Sequence, residues 1–125
     1  MNPPATHPLQ KAAIAALPLL LTGQTASLAA QSYPERPVRL IIPLSAGGSA
    51  DIVGRLLTQK LSERMGQQFV VDNRPGAGSI IGTEIAARAP RDGYTLLLAG
   101  SSFAIAPSLR RKLPYDPVRD FTPIT

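Results

Sequence analysis

The chain has 125 residues, a formal net charge of +5, one histidine and no cysteine or tryptophan. The absence of cysteine excludes a disulfide framework and every site built on a thiolate. The positive charge does not indicate a nucleic-acid partner, because the arginines are scattered and the few aromatic residues are not interleaved with them.

Residues 1–30 differ in composition from the rest of the chain and are predicted to be a signal peptide. Ala12 to Leu21 is an apolar run with the length of a signal-peptide core. It is shorter than the roughly 20 residues that span a bilayer. Small residues at Ser27 and Ala29 follow, as a cleavage site requires. We therefore expect export to the periplasm and a mature protein that is not integral to the membrane.

Loss of the signal peptide would also remove His7, the only histidine. The mature protein could then form neither a Ser-His-Asp triad nor a Cys/His metal site. We expect no catalytic residues, no metal and no cofactor. The alternatives for the leader, a buried helix or an anchor, are disfavoured by Pro18 and by the lack of a polar face.

The first predicted elements of the mature part are a strand and a helix. Val38 to Pro43 is short, aliphatic and bounded by prolines, which predicts a buried strand. Ser49 to Met65 has helical spacing, and Gly66 follows it where a C′ glycine belongs. The apolar stripe expected on the buried side of this helix consists of Ile52, Val53, Leu56, Leu57, Leu61 and Met65.

The same alternation continues along the chain. Gln68 to Asp72 and Tyr94 to Ala99 predict two more strands, with a helix from Ser79 to Ala89 between them. A helical turn from Ala104 to Lys112 and a candidate strand start at Phe121 follow. In the second helix, the residues expected to be buried are Ile80, Ile81, Ile85 and Ala89, and those expected to be exposed are Thr83, Glu84 and Arg88.

A basic run follows the third predicted helix and is interpreted as a solvated helix end. It consists of Arg110, Arg111 and Lys112.

The β-α-β-α-β order predicts an α/β fold with a parallel sheet and right-handed crossovers. Ligand loops of such sheets gather beyond the carboxyl ends of the strands. Three loops are therefore expected at one place: Leu44 to Asp51, Asn73 to Ser79, and Gly100 to Phe103. The β-α-β-α-β order also predicts a sheet with an open edge. The mature part of the chain is therefore interpreted as the front part of a longer protein.

The first loop, PLSAGGSADIVGR, is suited to holding an anion with backbone groups. Gly47 and Gly48 allow a ligand to approach main-chain N–H groups, and the helix that starts near Ser49 adds unpaired donors and a partial positive charge. Asp51 would repel an anion, so a capping or loop-bracing role is favoured over the alternative of direct ligand contact.

Nucleotide and hydrolase motifs do not fit. The chain contains no Gly-Lys pair for a P-loop and no G-x-S-x-G elbow. Gly76, Gly78 and Gly82 miss the dinucleotide spacing by one residue and follow the second predicted strand, not the first. Taken alone, the second loop is equally consistent with a tight turn.

Residues 33 to 124 resemble the Bug-type receptors, which are periplasmic substrate-binding proteins of tripartite tricarboxylate transporters. The resemblance rests on YPERPVRLIIPLSAGGSADIVGRLL, QFVVDNRPGAGSIIGTEIAARAPRDGYTLLLA and APSLRRKLPYDPVRDFTPI, in that order. It implies a type II periplasmic-binding-protein-like fold with two α/β domains around a small carboxylate ligand and delivery of that ligand to a membrane permease. Residues 31–125 would form the amino-terminal part of the first domain, without the second.

The resemblance also implies which residues hold the ligand carboxylate, largely through main-chain N–H groups. They are Leu44, Ser45, Ala46, Gly47, Gly48, Ser49, Ala77, Gly78, Ser79, Gly100, Ser101 and Ser102. Four positions depart from the usual pattern of the family: Leu44 replaces an aromatic residue, Ser79-Ile80 replaces Gly-Asn, Ala106 replaces Asn and Arg110 replaces Tyr.

Two other functions stay open from the sequence. One is a periplasmic ligand-sensing module that signals to a protein partner instead of serving a permease. The other is a fragment of a nucleotide- or phosphate-dependent α/β enzyme whose catalytic residues come from elsewhere. We also expect the chain from Ala30 onward, on its own, to be marginally stable or prone to aggregation.

Overall fold

A computed structural model describes residues 33–125, so the predicted signal peptide lies outside the described residues. The predicted order of elements is confirmed. The elements are β1 (Val38–Ile42), α1 (Ser49–Met65), β2 (Phe69–Asn73), a 3₁₀ turn (Ala77–Ser79), α2 (Ile80–Ala87), β3 (Thr95–Leu97) and α3 (Ser101–Leu109).

The three strands form one parallel sheet in the order β2-β1-β3, as expected for the predicted α/β class. Leu40 of the central strand pairs with Val71 on one side and Leu96 on the other. Because β1 is flanked on both sides, its residues Val38, Ile41 and Ile42 are fully buried and form the centre of the core.

The helices cover opposite faces of the sheet. The chain moves from β1 to β2 on one side and then crosses back to β3 on the other, and right-handed crossovers place α1 and α2 on different faces. A Cβ on Gly54 of α1 would overlap the side chain of Ile42, whereas one on Gly82 of α2 would meet Pro43. Consecutive residues of an extended chain point to opposite faces, so both contacts agree with this arrangement.

The carboxyl end of α1 is fixed as predicted. Gly66 adopts the left-handed conformation, with φ of 68°, and donates its N–H to the carbonyl of Ser62 at 3.1 Å. The hydroxyl of Ser62 in turn accepts the N–H of Phe69 at 2.9 Å. The end of α1 is thereby joined to the first residue of β2.

The predicted buried stripe of α1 was wrong, because most of that stripe faces away from the sheet. The sheet side carries Asp51, Gly54 and Thr58, all buried. Gly54 lets the helix approach Ile42 closely, because a Cβ at this position would overlap the Ile42 side chain. Leu61 is half-buried, whereas the side chains of Ile52, Val53, Leu56, Leu57 and Met65 are between 38% and 59% exposed.

Two residues of α2 also differ from the prediction. Thr83 was expected outside but is buried, and Ile81 was expected inside but is exposed. Burial of Thr83 is accommodated because its hydroxyl donates to the carbonyl of Ser79 at 2.8 Å.

The segment after β3 differs from the prediction at both ends. The third helix begins at Ser101, three residues before the predicted Ala104, and ends at Leu109. Phe121 does not start a strand in the described part of the chain. Its ring instead packs edge-on against Phe103 and Tyr115, at centroid distances of 5.2 and 6.1 Å, and closes a small aromatic cluster beside α3.

Candidate functional site

Three segments follow the carboxyl ends of the three strands, as predicted. We call them loop 1 (residues 43–48), loop 2 (residues 74–79) and loop 3 (residues 98–100). The central strand β1 lies where the chain reverses direction across the sheet, and ligands of open α/β sheets bind beside such a point. The candidate site is therefore the sheet edge that carries these loops.

Loop 1 leads into the first turn of α1, which no side chain caps. Gly47 has φ of 83°, and Gly48 is the N-cap residue of α1 in extended conformation, with no side chain capping the first turn. Leu44 and its neighbours up to Ser49 are exposed. The first N–H groups of α1 thus face outward with the positive end of the helix dipole, as an anion site requires.

Asp51 stabilises loop 1 through hydrogen bonds of its carboxylate. Its Oδ2 accepts the N–H of Gly47 at 2.9 Å and the Nε–H of Arg55 at 3.0 Å. The hydrogen bonds from Arg55 and from Gly47 lower the pKa of Asp51 below its ordinary value, despite the opposing effect of burial. The geometry agrees with the predicted bracing role, because this buried carboxylate is engaged by loop and helix.

Loop 2 has unusual backbone geometry. Ala77 and Ser79 have positive φ values of 48° and 77°, a region that residues with a Cβ rarely adopt. Asn73, at the end of β2, donates from Nδ2 to the carbonyl of Leu44 at 3.3 Å. Loops 1 and 2 are thereby brought side by side.

Loop 2 also contacts the start of α3. Ser102 donates its hydroxyl hydrogen to Oγ of Ser79, with 2.9 Å between the oxygens. Ser101 and Ser102 were expected in a loop but lie in the first turn of α3, after the N-cap residue Gly100, and no side chain caps that turn. The expected convergence at one sheet edge is confirmed: Asn73 at the end of β2 contacts loop 1, and Ser79 of loop 2 contacts the start of α3.

Sequence reasoning missed three side chains near these loops. Arg55 and Asn73 complete the support of loop 1, and their side chains lie 3.5 Å apart. Only the i,i+4 spacing of Asp51 and Arg55 gave a signal in the sequence. Arg110, interpreted as solvated, places its guanidinium 3.5 Å from the carbonyl of Ala77, a contact between elements that no local pattern encodes.

The four departures from the family pattern have distinct surroundings. Leu44 is exposed at the open side of loop 1, and Arg110 reaches loop 2. Ile80 and Ala106 are buried, so these two positions contribute to the core. Leu44 and Arg110 are exposed beside the loops, and Ser79, although buried, belongs to loop 2 itself, so these departures can alter the site directly.

A second concave region lies on the face of β2 that α2 leaves uncovered and reaches Arg74, the first residue of loop 2. It is a groove of about 400 Å³ lined in part by Arg39, Val70, Asp72 and Arg74. Burial of Asp72 acts to raise its pKa, but the hydrogen bonds from Arg39 and Arg74 outweigh that effect and the pKa is lowered. The groove is lined in part by an ion-pair network of two arginines and one aspartate, with a formal net charge of +1, at the edge of the sheet.

Within residues 33–125, no group of three or more His, Asp or Glu side chains could hold a metal ion. Over the same residues, no helix is both long and apolar enough to cross a bilayer.

Comparison with known proteins places the chain among receptors. Residues 53–125 match the family described as tripartite tricarboxylate transporter family receptor. Protein BugT of Bordetella pertussis is 43% identical over 105 residues, which cover 82% of this chain and 32% of BugT.

This chain is also similar to part of several solved structures. The structure of periplasmic binding protein BugD is 46% identical with a TM-score of 0.70, covering 74% of this chain and 31% of BugD. R. palustris Rpa4515, solved with adipate, is 40% identical with a TM-score of 0.70 and has the same coverage. The chain spans about a third of the length of the curated relatives that it matches.

Proposed function

Because the chain belongs to the tripartite tricarboxylate transporter receptor family, we propose that it is a periplasmic solute receptor whose ligand carries a carboxylate. The resemblance to Bug-type receptors and the type II periplasmic-binding-protein-like fold, of which the chain covers part, are confirmed by these matches. The family consists of receptors, so the expected absence of enzymatic activity is confirmed at the level of the family.

The observation that carries the proposal is the arrangement of helix starts. The N-cap positions of α1, α2 and α3 are Gly48, Ser79 and Gly100, and none of the three provides a capping side chain. All three positions follow strands at one edge of the same sheet. Unpaired N–H donors and three positive helix ends favour a compact anion there.

The ligand class is supported by chemistry and by a relative. Backbone donors at helix starts bind carboxylates without a cationic side chain, which suits the glycine-rich loops of this chain. Rpa4515 was solved with adipate, a carboxylate. The ligand-binding residues proposed here are those implied by the resemblance: Leu44 to Ser49, Ala77 to Ser79, and Gly100 to Ser102.

The location and the partner are part of the same proposal. Export by the predicted signal peptide would place the receptor in the periplasm, where the BugD relative is named as a binding protein. The proposed permease partner is supported by the family description, which names these proteins as receptors of a transporter family. Residues 31–125 would supply the first part of the first ligand-binding domain.

Amide chemical-shift mapping tests the proposal. Adipate is titrated into the ¹⁵N-labelled protein, and we expect saturable shifts concentrated at the amides of residues 47–49, 78–79 and 100–102. Adipamide, which has the same length without charge, should shift them far less. Shifts from ATP at these amides with none from adipate would refute the proposal and favour the nucleotide-dependent alternative.

A further inference from the structure

We propose that the outer edge of β2 is an interaction surface for a protein partner, which adds an extended acidic segment to the sheet as a further strand. The groove that Arg39 and Arg74 line would receive the acidic side chains of that segment. No residue of this surface belongs to the proposed ligand-binding set, so the inference does not rest on the proposed function.

The outer edge of β2 carries peptide groups that the sheet does not use. In the described part of the chain, β2 pairs with β1 alone. The carbonyl of Gln68 and the N–H of Arg74 bond to β1. Because successive peptide groups of a strand point to opposite sides, those of Val71 and Asn73 point outward, away from β1.

The protein covers only the beginning of this edge. The N–H of Phe69, which also points outward, is bonded to Oγ of Ser62 at 2.9 Å. Among residues 33–125, no strand or side chain accepts the outward N–H groups of Val71 and Asn73. A row of unpaired backbone groups of this kind is a template for another strand.

The groove beside the edge has the shape for alternate side chains of an added strand. Val70, Asp72 and Arg74 lie on one face of β2, the face that lines the groove. Four residues of strand separate Val70 from Arg74, which corresponds to about 13 Å. Val70 is 48% exposed and offers an apolar contact beside the charged residues.

The charges of the groove favour an acidic segment. Arg39 donates to Oδ2 of Asp72, and Nε of Arg74 donates to Oδ1 at 2.8 Å. Two guanidinium groups thus share one carboxylate, and their side chains are 39% and 50% exposed. Among the described residues, none accepts a hydrogen bond from the Nη groups of Arg74. A second carboxylate can bind these donors in a charge-assisted contact.

Other anionic partners use less of this surface. Anionic membranes attract clusters of about four to eight basic residues, whereas the groove has two arginines and one aspartate. A small free carboxylate would contact the guanidinium groups but leave the outward peptide groups of Val71 and Asn73 unpaired. An extended acidic segment satisfies both the charges and the backbone.

Peptide titrations of the ¹⁵N-labelled protein test the inference. The probe is acetyl-EVEVE-amide, and we expect saturable shifts at the amides of residues 70–74, with slower hydrogen exchange at Val71 and Asn73. Acetyl-QVQVQ-amide should bind more weakly, and an N-methylated copy of the acidic peptide should give no protection from exchange. Equal affinity for the glutamine peptide, or exchange that the acidic peptide does not slow, would overturn the inference.

Arginine substitutions assign the binding to the groove. Arg74→Gln and Arg39→Gln should each weaken binding of acetyl-EVEVE-amide by about two- to fivefold, as loss of a partly exposed ion pair does. Arg64→Gln removes the same charge from an exposed position of α1 and should leave the affinity unchanged.

Three other results would refute the docking surface. One is an equal loss of affinity in all three arginine variants, which would mean attraction by net charge alone. The others are shifts at residues 70–74 caused by adipate, or by vesicles of phosphatidylcholine and phosphatidylglycerol, when the acidic peptide causes none. Adipate would then identify a small-anion site, and the vesicles a membrane contact.

Discussion

Asp51 links the sheet side of α1 to the candidate ligand loop. Its carboxylate accepts hydrogen bonds from Gly47 and Arg55, while its other oxygen, Oδ1, is buried without a donor among the described residues. Oδ2 therefore braces the loop, and the negative charge of the carboxylate disfavours direct contact with an anion.

Asp51→Asn should loosen loop 1. The neutral amide accepts these bonds more weakly and places an NH₂ group in a buried position. We expect the melting temperature to fall by a few degrees and adipate affinity to fall as well. Glu63→Gln is the control on the same helix, since Glu63 forms only exposed pairs with Lys60 and Gln59. An unchanged melting temperature for Asp51→Asn would show that the brace contributes nothing.

Carboxylates whose pKa is lowered in the folded state make the stability of the protein depend on pH in the acidic range. The pKa values of Asp51, Asp72 and Asp116 all lie below the ordinary value of 3.8; backbone N–H groups of Val118 and Arg119 lower that of Asp116. A carboxylate with a lowered pKa in the folded state stabilises the protein above its unfolded pKa, and that contribution is lost as the pH falls through the folded pKa.

The melting temperature should therefore stay nearly constant from pH 7 to about pH 5 and fall below about pH 4. Asp72→Asn, which removes the carboxylate that Arg39 and Arg74 share, should lower the melting temperature at pH 7 and make its decrease in acid less steep. A melting temperature that stays constant down to pH 3 would contradict this account. Thermal melts followed by circular dichroism in a buffer series measure it.

At the scale of elements, close packing of α2 against the sheet positions loop 2. A Cβ on Gly82 would lie 2.5 Å from the carbonyl oxygen of Arg74 and 2.8 Å from Cα of Pro43, which are backbone atoms that cannot yield cheaply. Gly82 therefore lets α2 start directly beside the ends of β1 and β2.

Gly82→Ala should destabilise the protein by about 1–3 kcal/mol, as overpacking does elsewhere. For a domain of this size each kcal/mol corresponds to about 4–8 °C in melting temperature. Gly100→Ala is the matched control, because φ is −109° at Gly100 and a Cβ there meets nothing within 4 Å. Equal melting temperatures for the two variants would refute the close-packing role of Gly82.

The elements were predictable from local signals, but their buried faces were not. Prolines, glycines and short aliphatic runs defined β1 and both ends of α1 correctly. Periodicity identified a stripe of Ile52, Val53, Leu56 and Leu57, yet it cannot say which side of a helix meets the sheet. The close approach at Gly54 decided that question, and such an approach depends on tertiary packing.

The positions of the site loops were predictable from the sequence, but the side-chain contacts between them were not. The parallel topology placed the three loops together, and the glycines of loop 1 indicated a backbone anion site. The bond between Ser79 and Ser102 joins residues 23 positions apart, and no local pattern specifies it. The contacts of Asn73 and Arg110 with loop carbonyls were missed for the same reason.

At the scale of the whole molecule, the outward side of α1 is an apolar surface. Ile52, Val53, Leu56 and Leu57 lie on the first turns of the helix, opposite the buried residues Asp51, Gly54 and Thr58. Contiguous exposed apolar surface of this kind promotes association between molecules.

Leu56→Lys should reduce concentration-dependent self-association, measured by analytical ultracentrifugation, and change the melting temperature little, because Leu56 is 59% exposed. Gln59→Lys adds the same charge at an exposed polar position of α1 and should leave association unchanged. Monomeric behaviour of the wild-type protein at all concentrations would show that the apolar surface does not drive association.

We propose that one sheet edge, with three uncapped helix starts, holds a carboxylate. Isothermal titration calorimetry of the purified protein at pH 7 with adipate, and then with adipamide in the same buffer, tests it most directly. We predict saturable binding of adipate at one site and at least tenfold weaker binding of adipamide. No binding of adipate, or equal affinity for both compounds, would show that this sheet edge is not a carboxylate site.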